Sequence, residues 1–165
     1  MKEAVFLTVE ECLRLHEEQI RRFGGSAGLR DPGLLESALA RPRSGYYQTL
    51  FEQAAALLQS LAMNHCFVDG NKRIAMGCAF IFLDWNGFEI NANGEEAERF
   101  LIERVILGKA DVGEIAKWLS DNAGPLASIK ATAAPARKSP GKSRSDGPPN
   151  PRRKSPIKSA RRKPR

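Results

Sequence analysis

The chain predicts an all-α domain, a compact bundle of about six helices around a central apolar one. Three observations carry this. Apolar residues recur at helical spacing through most of the chain before Gly124. Most periodic stretches open on a residue able to cap a helix and close on glycine, asparagine or proline. Only Phe88-Glu89-Ile90 reads as a strand, and it is short.

Thr8 followed by Glu11 forms a capping box, with Leu13, Leu15, His16, Ile20 and Phe23 as the apolar stripe behind it. Gly24-Gly25 stops this helix. Asp31-Pro32 restarts the chain as cap plus first-turn proline, and Leu34, Leu35, Ala38 and Leu39 are expected to be buried before Pro42 ends the helix. Residues 43–50 form a connector with two tyrosines. A third helix is expected from about Phe51 to Asn64, with Ala54, Ala55, Leu57, Leu58, Leu61 and Ala62 inward. Asn71–Trp85 is apolar on nearly every side, the mark of a central helix, and Met76, Cys78 and Trp85 are expected in the core. Asn86-Gly87 closes it. Asn93 caps a helix carrying Phe100, Leu101, Val105 and Ile106 that stops at Gly108. Asp111 caps the last, with Val112, Ile115, Trp118 and Leu119.

Charge divides the chain in two. Residues 1–123 hold 13 Lys+Arg against 18 Asp+Glu, a net of −5; residues 124–165 hold 13 Lys+Arg against one Asp, a net of +12. Residues 135–165 are rich in Pro, Ser, Lys and Arg, with Ile157 as the single large apolar side chain. Such a composition buries too little surface to offset ordering entropy, so 1–123 reads as the folded domain and 124–165 as a disordered basic tail. A tail of this charge binds nucleic acid without sequence preference, through counterion release, or is a tolerated extension. Three cysteines at irregular spacing give no zinc or disulfide pattern and fit a reducing compartment. No stretch is apolar enough for a signal peptide or a bilayer span, so the expectation is cytoplasmic, with no membrane contact.

The chemistry concentrates in His65-Cys66-Phe67-Val68-Asp69-Gly70-Asn71-Lys72-Arg73, between two helices. Gly70 and Asn71 open the central helix, whose free N–H groups and dipole attract anions. Lys72 and Arg73 in the first turn oppose that dipole, at a cost in stability that a bound phosphate relieves. Asp69 is a hard oxygen ligand suited to Mg²⁺ accompanying phosphates. His65 is the side-chain type that most often serves as a general base. Phe67 is expected to anchor the turn. Each residue also has a plain structural role open to it: His65 as a helix C-cap, Asp69 as a turn or N-cap residue, Lys72 and Arg73 as solvated charges. At this spacing the set points to phosphate chemistry. His16, on the buried stripe, reads as structural.

This stretch resembles the signature of the Fic/Doc superfamily, H-x-F-x-D/E-G-N-G-R-x-x-R, on which His65, Phe67, Asp69, Gly70, Asn71 and Arg73 fall. Lys72 stands where that pattern has its second glycine, and Met76 where it has its last arginine. Both departures match the Doc (death-on-curing) pattern, H-x-F-x-D-G/A-N-K-R-T/S-A, which Ala75 also fits and Ile74 does not. The likeness extends over roughly residues 5–121, including Phe23-Gly24-Gly25 to Ala38 and Phe80 to Gly87.

The resemblance implies a toxin of a toxin–antitoxin pair. Fic enzymes transfer AMP to a hydroxyl; Doc enzymes are kinases that phosphorylate a threonine of elongation factor Tu and stop translation. The lysine is tied to that difference, since its side chain fills space that the Fic loop gives to a phosphate. By resemblance His65 is the base, Asp69 holds Mg²⁺, and Gly70, Asn71, Lys72 and Arg73 hold the phosphates of ATP. Arg43–Leu50 corresponds to a flap that positions the target, so Tyr46 and Tyr47 either serve that flap or pack on the domain. The inhibitory pattern S/T-x-x-x-E-G/N has no match here, which implies inhibition by a separate Phd-like antitoxin. An AMP transferase and a non-catalytic partner that binds an antitoxin are the competing readings.

Overall fold

A computed structural model describes residues 3–126. Six α-helices dominate: α1 Val9–Phe23, α2 Pro32–Ala40, α3 Leu50–Asn64, α4 Asn71–Trp85, α5 Gly94–Arg99 and α6 Val112–Asp121. A 3-10 turn, Arg41–Arg43, follows α2, and a π-helical stretch, Phe100–Leu107, continues α5. The expected strand β1 Phe88–Ile90 forms and pairs antiparallel with β2 Ala123–Pro125, Phe88 opposite Pro125 and Ile90 opposite Ala123. Ala-Gly-Pro has no apolar alternation to announce a strand. The disordered tail expected from residue 124 is corrected at its start, since Gly124 and Pro125 pair with β1 and Leu126 N–H donates to the Gly87 carbonyl; the rest of that expectation, nucleic-acid binding included, lies outside the described residues.

Capping chemistry places the helices where the sequence implies. Thr8, Thr49, Asn93 and Asp111 each form a reciprocal capping box, with Glu11, Glu52, Glu96 and Glu114 respectively. Asp31 caps α2 through Leu34 N–H, with Pro32 in the first turn. The Thr49–Glu52 box starts α3 at Leu50, one residue before the expected Phe51.

The core lies along α3 and α4. The alanines Ala54, Ala55, Ala56 and Ala62 are fully buried and let neighbouring helices approach α3 closely. Against them pack Leu57, Leu58 and Leu61, with Ile74, Cys78, Phe82 and Leu83 from α4 and Ile115 and Leu119 from α6. Burying Leu- or Phe-sized side chains contributes about 1.5–3 kcal/mol each before ordering costs. No helix among the described residues is long and apolar enough to cross a membrane.

Three local expectations are corrected. Phe23 is 67% exposed: it is the last residue of α1, beyond the buried Cys12–His16 face, and it covers Arg73 instead. Leu34 is exposed because Leu35, Ala38 and Leu39 form the i, i+3, i+4 stripe of α2, and Leu34 stands one helical step off it. Trp85, the final residue of α4, is half-exposed where that helix leaves the core. As expected, α2 stops just before Pro42, at Ala40; Pro42 has no N–H to continue the ladder and is buried inside the 3-10 turn. Early positions in such a turn need no N–H from the proline.

Candidate active site

The site begins where α3 stops. His65 is its C-cap, with left-handed backbone (φ 50, ψ 48) and an exposed side chain. A non-glycine residue held there costs about 1–3 kcal/mol. The next residues run antiparallel to the α1–α2 loop. Leu29 bridges to Phe67, Val68 N–H donates to the Gly28 carbonyl at 3.0 Å, and the N–H groups of Arg30 and Asp31 both donate to the Cys66 carbonyl, at 2.7 and 3.0 Å.

Within this frame the turn is closed by side chains. Phe67 is buried and lies flat on the His16 imidazole. His16 Nε2–H donates to the Asp69 carbonyl at 2.8 Å. Asn71 Oδ1 accepts from Phe67 N–H and its Nδ2 donates to the Phe67 carbonyl, both at 2.9 Å. That carboxamide is committed to the turn, so Asn71 offers a phosphate its main-chain N–H. Gly70, at φ 77, makes the reversal into α4.

The Asp69 carboxylate is gripped from the main chain. Oδ2 accepts from Ser26 N–H at 3.1 Å and Oδ1 from Gly70 N–H at 2.6 Å. Those two bonds, Ser26 first, hold its pKa below the ordinary carboxylate value, with smaller help from Arg73 and His16. Each oxygen keeps acceptor capacity.

One helix differs from the rest. All the others have an N-cap side chain bonded to a first-turn N–H; α4 starts on Gly70 with none. Its first-turn N–H groups lack intrahelical partners, and Lys72 and Arg73 are exposed beside them. This end opens into a cleft of about 740 Å³. All six residues singled out from sequence, His65, Asp69, Gly70, Asn71, Lys72 and Arg73, line it. Met76, Gly77 and Phe80 extend its wall along α4, and Gly94, Ala97, Glu98, Leu101 and Ile102 line it from α5 and the π-helical stretch. Sequence reasoning missed that second wall, because nothing in Gly94–Ile102 distinguishes a cleft lining from an ordinary amphipathic helix. It also missed the hold of Gly24–Ser26 on the site; the Gly24-Gly25 pair was the available signal.

Among the described residues no three His, Cys, Asp or Glu side chains are grouped to hold a metal. The Asp69 carboxylate, with spare lone pairs beside an open helix N-terminus, fits Mg²⁺ that arrives with phosphates. The two tyrosines divide. Tyr47 OH accepts from Arg41 Nε at 2.8 Å and packs on the domain, while Tyr46 is 82% exposed.

Comparison with known proteins agrees with this geometry. The Fic/DOC family model matches residues 6–83. The chain is 42% identical over 104 residues to "Toxin Doc" of Mycolicibacterium smegmatis, covering 59% of this chain and 80% of that protein. It is 35% identical over 117 residues to "Protein kinase doc" of Escherichia phage P1, covering 68% of this chain and 91% of that one. With the helical fold and the His65–Arg73 turn both in place, the chain belongs to the Doc branch of the Fic/Doc family.

Proposed function

We propose that the protein is the toxin of a toxin–antitoxin pair and acts as a transferase, moving the γ-phosphate of ATP to a threonine hydroxyl of a translation factor, elongation factor Tu by resemblance. The observation that carries this is Lys72, at the open N-terminus of α4, lining the same cleft as His65. The names of the two relatives, a toxin and a protein kinase, support the same reading.

The geometry suits the chemistry. Phosphoryl transfer asks mainly for positioning and charge stabilisation. The N–H groups at the start of α4, with Lys72 and Arg73, hold the phosphates. Asp69 would hold Mg²⁺ alongside them, which would supply positive charge against the phosphate oxygens. His65 projects from its left-handed turn into the cleft, and an unprotonated ring nitrogen takes the threonine proton. The threonine oxygen–phosphorus bond forms as the bond from the γ-phosphorus to the bridging oxygen breaks, and ADP leaves. A Phd-like antitoxin would restrain the toxin by folding a segment onto it. The reaction belongs in the cytoplasm, where ATP and translation factors are.

Incubation with elongation factor Tu and ATP labelled at the γ- or the α-phosphate tests this. Label is expected from γ-labelled ATP alone. Transfer from α-labelled ATP alone would replace the reading with AMP transfer. Growth arrest on expression should disappear with His65→Ala; arrest that survives points to a non-catalytic antitoxin-binding partner.

A further inference from the structure

We propose that Phe23 and the Gly24 carbonyl form a post that orients the Arg73 guanidinium toward bound phosphate, making Phe23 a positioning residue of this site. The proposal rests on the nucleotide reading above.

Phe23 ends α1 with two thirds of its surface in solvent. Its ring has a partner: the Arg73 Cζ stands 5.3 Å from the ring centroid, within cation–π range. Arg73 Nη1–H also donates to the Gly24 carbonyl at 3.2 Å. Arg73 makes no ion pair with a carboxylate among the described residues. A guanidinium carries five N–H donors, and the protein engages one of Arg73's through a hydrogen bond. The others remain for an incoming oxyanion, on a group already fixed by a ring face and a carbonyl.

The post also sets where the cation stands relative to the acid. Gly24 accepts from Arg73, and two residues later Ser26 N–H donates to Asp69 Oδ2. One short stretch, Phe23–Ser26, thus fixes both the phosphate-binding cation and the metal-binding carboxylate. An arginine free to rotate must be ordered when phosphate binds, and losing the post makes each binding event bear that ordering cost. Immobilising one such side chain is worth between about twofold and about tenfold in affinity.

Calorimetric titration of the full chain with ATP, and with inorganic tripolyphosphate, tests the post in wild type, Phe23→Tyr, Phe23→Leu and Phe23→Ala. Tyrosine should bind both ligands as wild type does. Leucine and alanine should weaken both by about twofold to tenfold, because leucine keeps apolar bulk but offers no ring face. In an Arg73→Gln background Phe23→Leu should change neither affinity further. Equal binding by wild type and the Phe23→Leu variant, or an undiminished Phe23→Leu effect without Arg73, would overturn the proposal. The outcome is separable from that of the kinase reading. Post-dependent affinities with no γ-phosphate transfer would sink the kinase and leave the post standing. Intact transfer with indifferent Phe23 variants would do the reverse.

Discussion

The imidazole of His16 lies on the ring of Phe67, centroids 3.9 Å apart and planes 13° from parallel, while its Nε2 holds the Asp69 carbonyl. A histidine outside the signature stretch therefore supports that stretch from beneath. His16→Phe keeps a stacked ring and removes the hydrogen bond, leaving a part-buried carbonyl unpaired. We expect a loss of about 1–3 kcal/mol in urea unfolding. His16→Ala should lose more, because a cavity opens under Phe67 as well.

Gly25 meets the site most tightly. Its φ is +118, and a Cβ there would stand 2.7 Å from Asp69 Oδ2 and 3.0 Å from Ile20 Cδ1. Gly24 also has positive φ, but a Cβ there meets nothing within 4 Å. Gly25→Ala should therefore impair phosphate transfer far more than Gly24→Ala. Both should cost stability through backbone strain of about 1–3 kcal/mol. Equal activities of the two variants would show that Asp69 tolerates displacement.

The Asp69 carboxylate gives a pH dependence of defined sign. Folding lowers its pKa, chiefly through the Ser26 and Gly70 N–H groups. Its contribution to stability is complete above the unfolded value of about 3.9 and is lost as pH falls through the lower folded value. The difference in urea midpoint between wild type and Asp69→Asn should hold steady from neutral pH to about 5 and shrink as pH falls below about 4. A difference that grows on acidification would contradict the bonds assigned to this carboxylate.

Cys12, Cys66 and Cys78 are all fully buried, with the Cys12 and Cys78 sulfurs 3.5 Å apart. Burial pushes the Cys66 thiol up; the hydrogen bond with Cys12, then burial, pushes Cys78 well above the usual range. Since the thiolate is the reactive form, a thiol reagent should label none of the three in the native protein and all of them in urea. Fast labelling of Cys12 or Cys78 without denaturant would mean that α1 opens from α4 locally.

Asn71 locks the turn through both ends of its carboxamide. Asn71→Asp keeps an acceptor for Phe67 N–H but sets a carboxylate against the Phe67 carbonyl. It should destabilise by about 1–3 kcal/mol and reduce activity, although no phosphate contact of the Asn71 side chain is lost. An unchanged unfolding midpoint would refute the locking role.

Periodicity and capping place the helices nearly residue by residue, because both are local: Thr8 with Glu11, or Asp111 with Glu114, lie within one turn. The site was legible to the same depth, since His65 through Arg73 is one contiguous turn. What escaped depends on distant pairing. That Gly25 abuts Asp69, far along the chain, or that Gly94–Ile102 faces Arg73 across a cleft, follows only from how helices pack. Phe23 misled for the same reason: helical phase assigned it to the core, while the length of α1 carried it past the core to Arg73.

The grip on Asp69 has a consequence for how this protein drifts over generations. Its carboxylate is held by amide groups of Ser26 and Gly70, and every amino acid except proline supplies such a group. Exchanging the Ser26 side chain leaves the hold intact, so that position is free to vary in silence. A single-residue insertion or deletion between Phe23 and Leu29 shifts the register of the amides and breaks the hold at once. The lineage should accordingly accept many replacements of Ser26 and almost no change in the length of this loop.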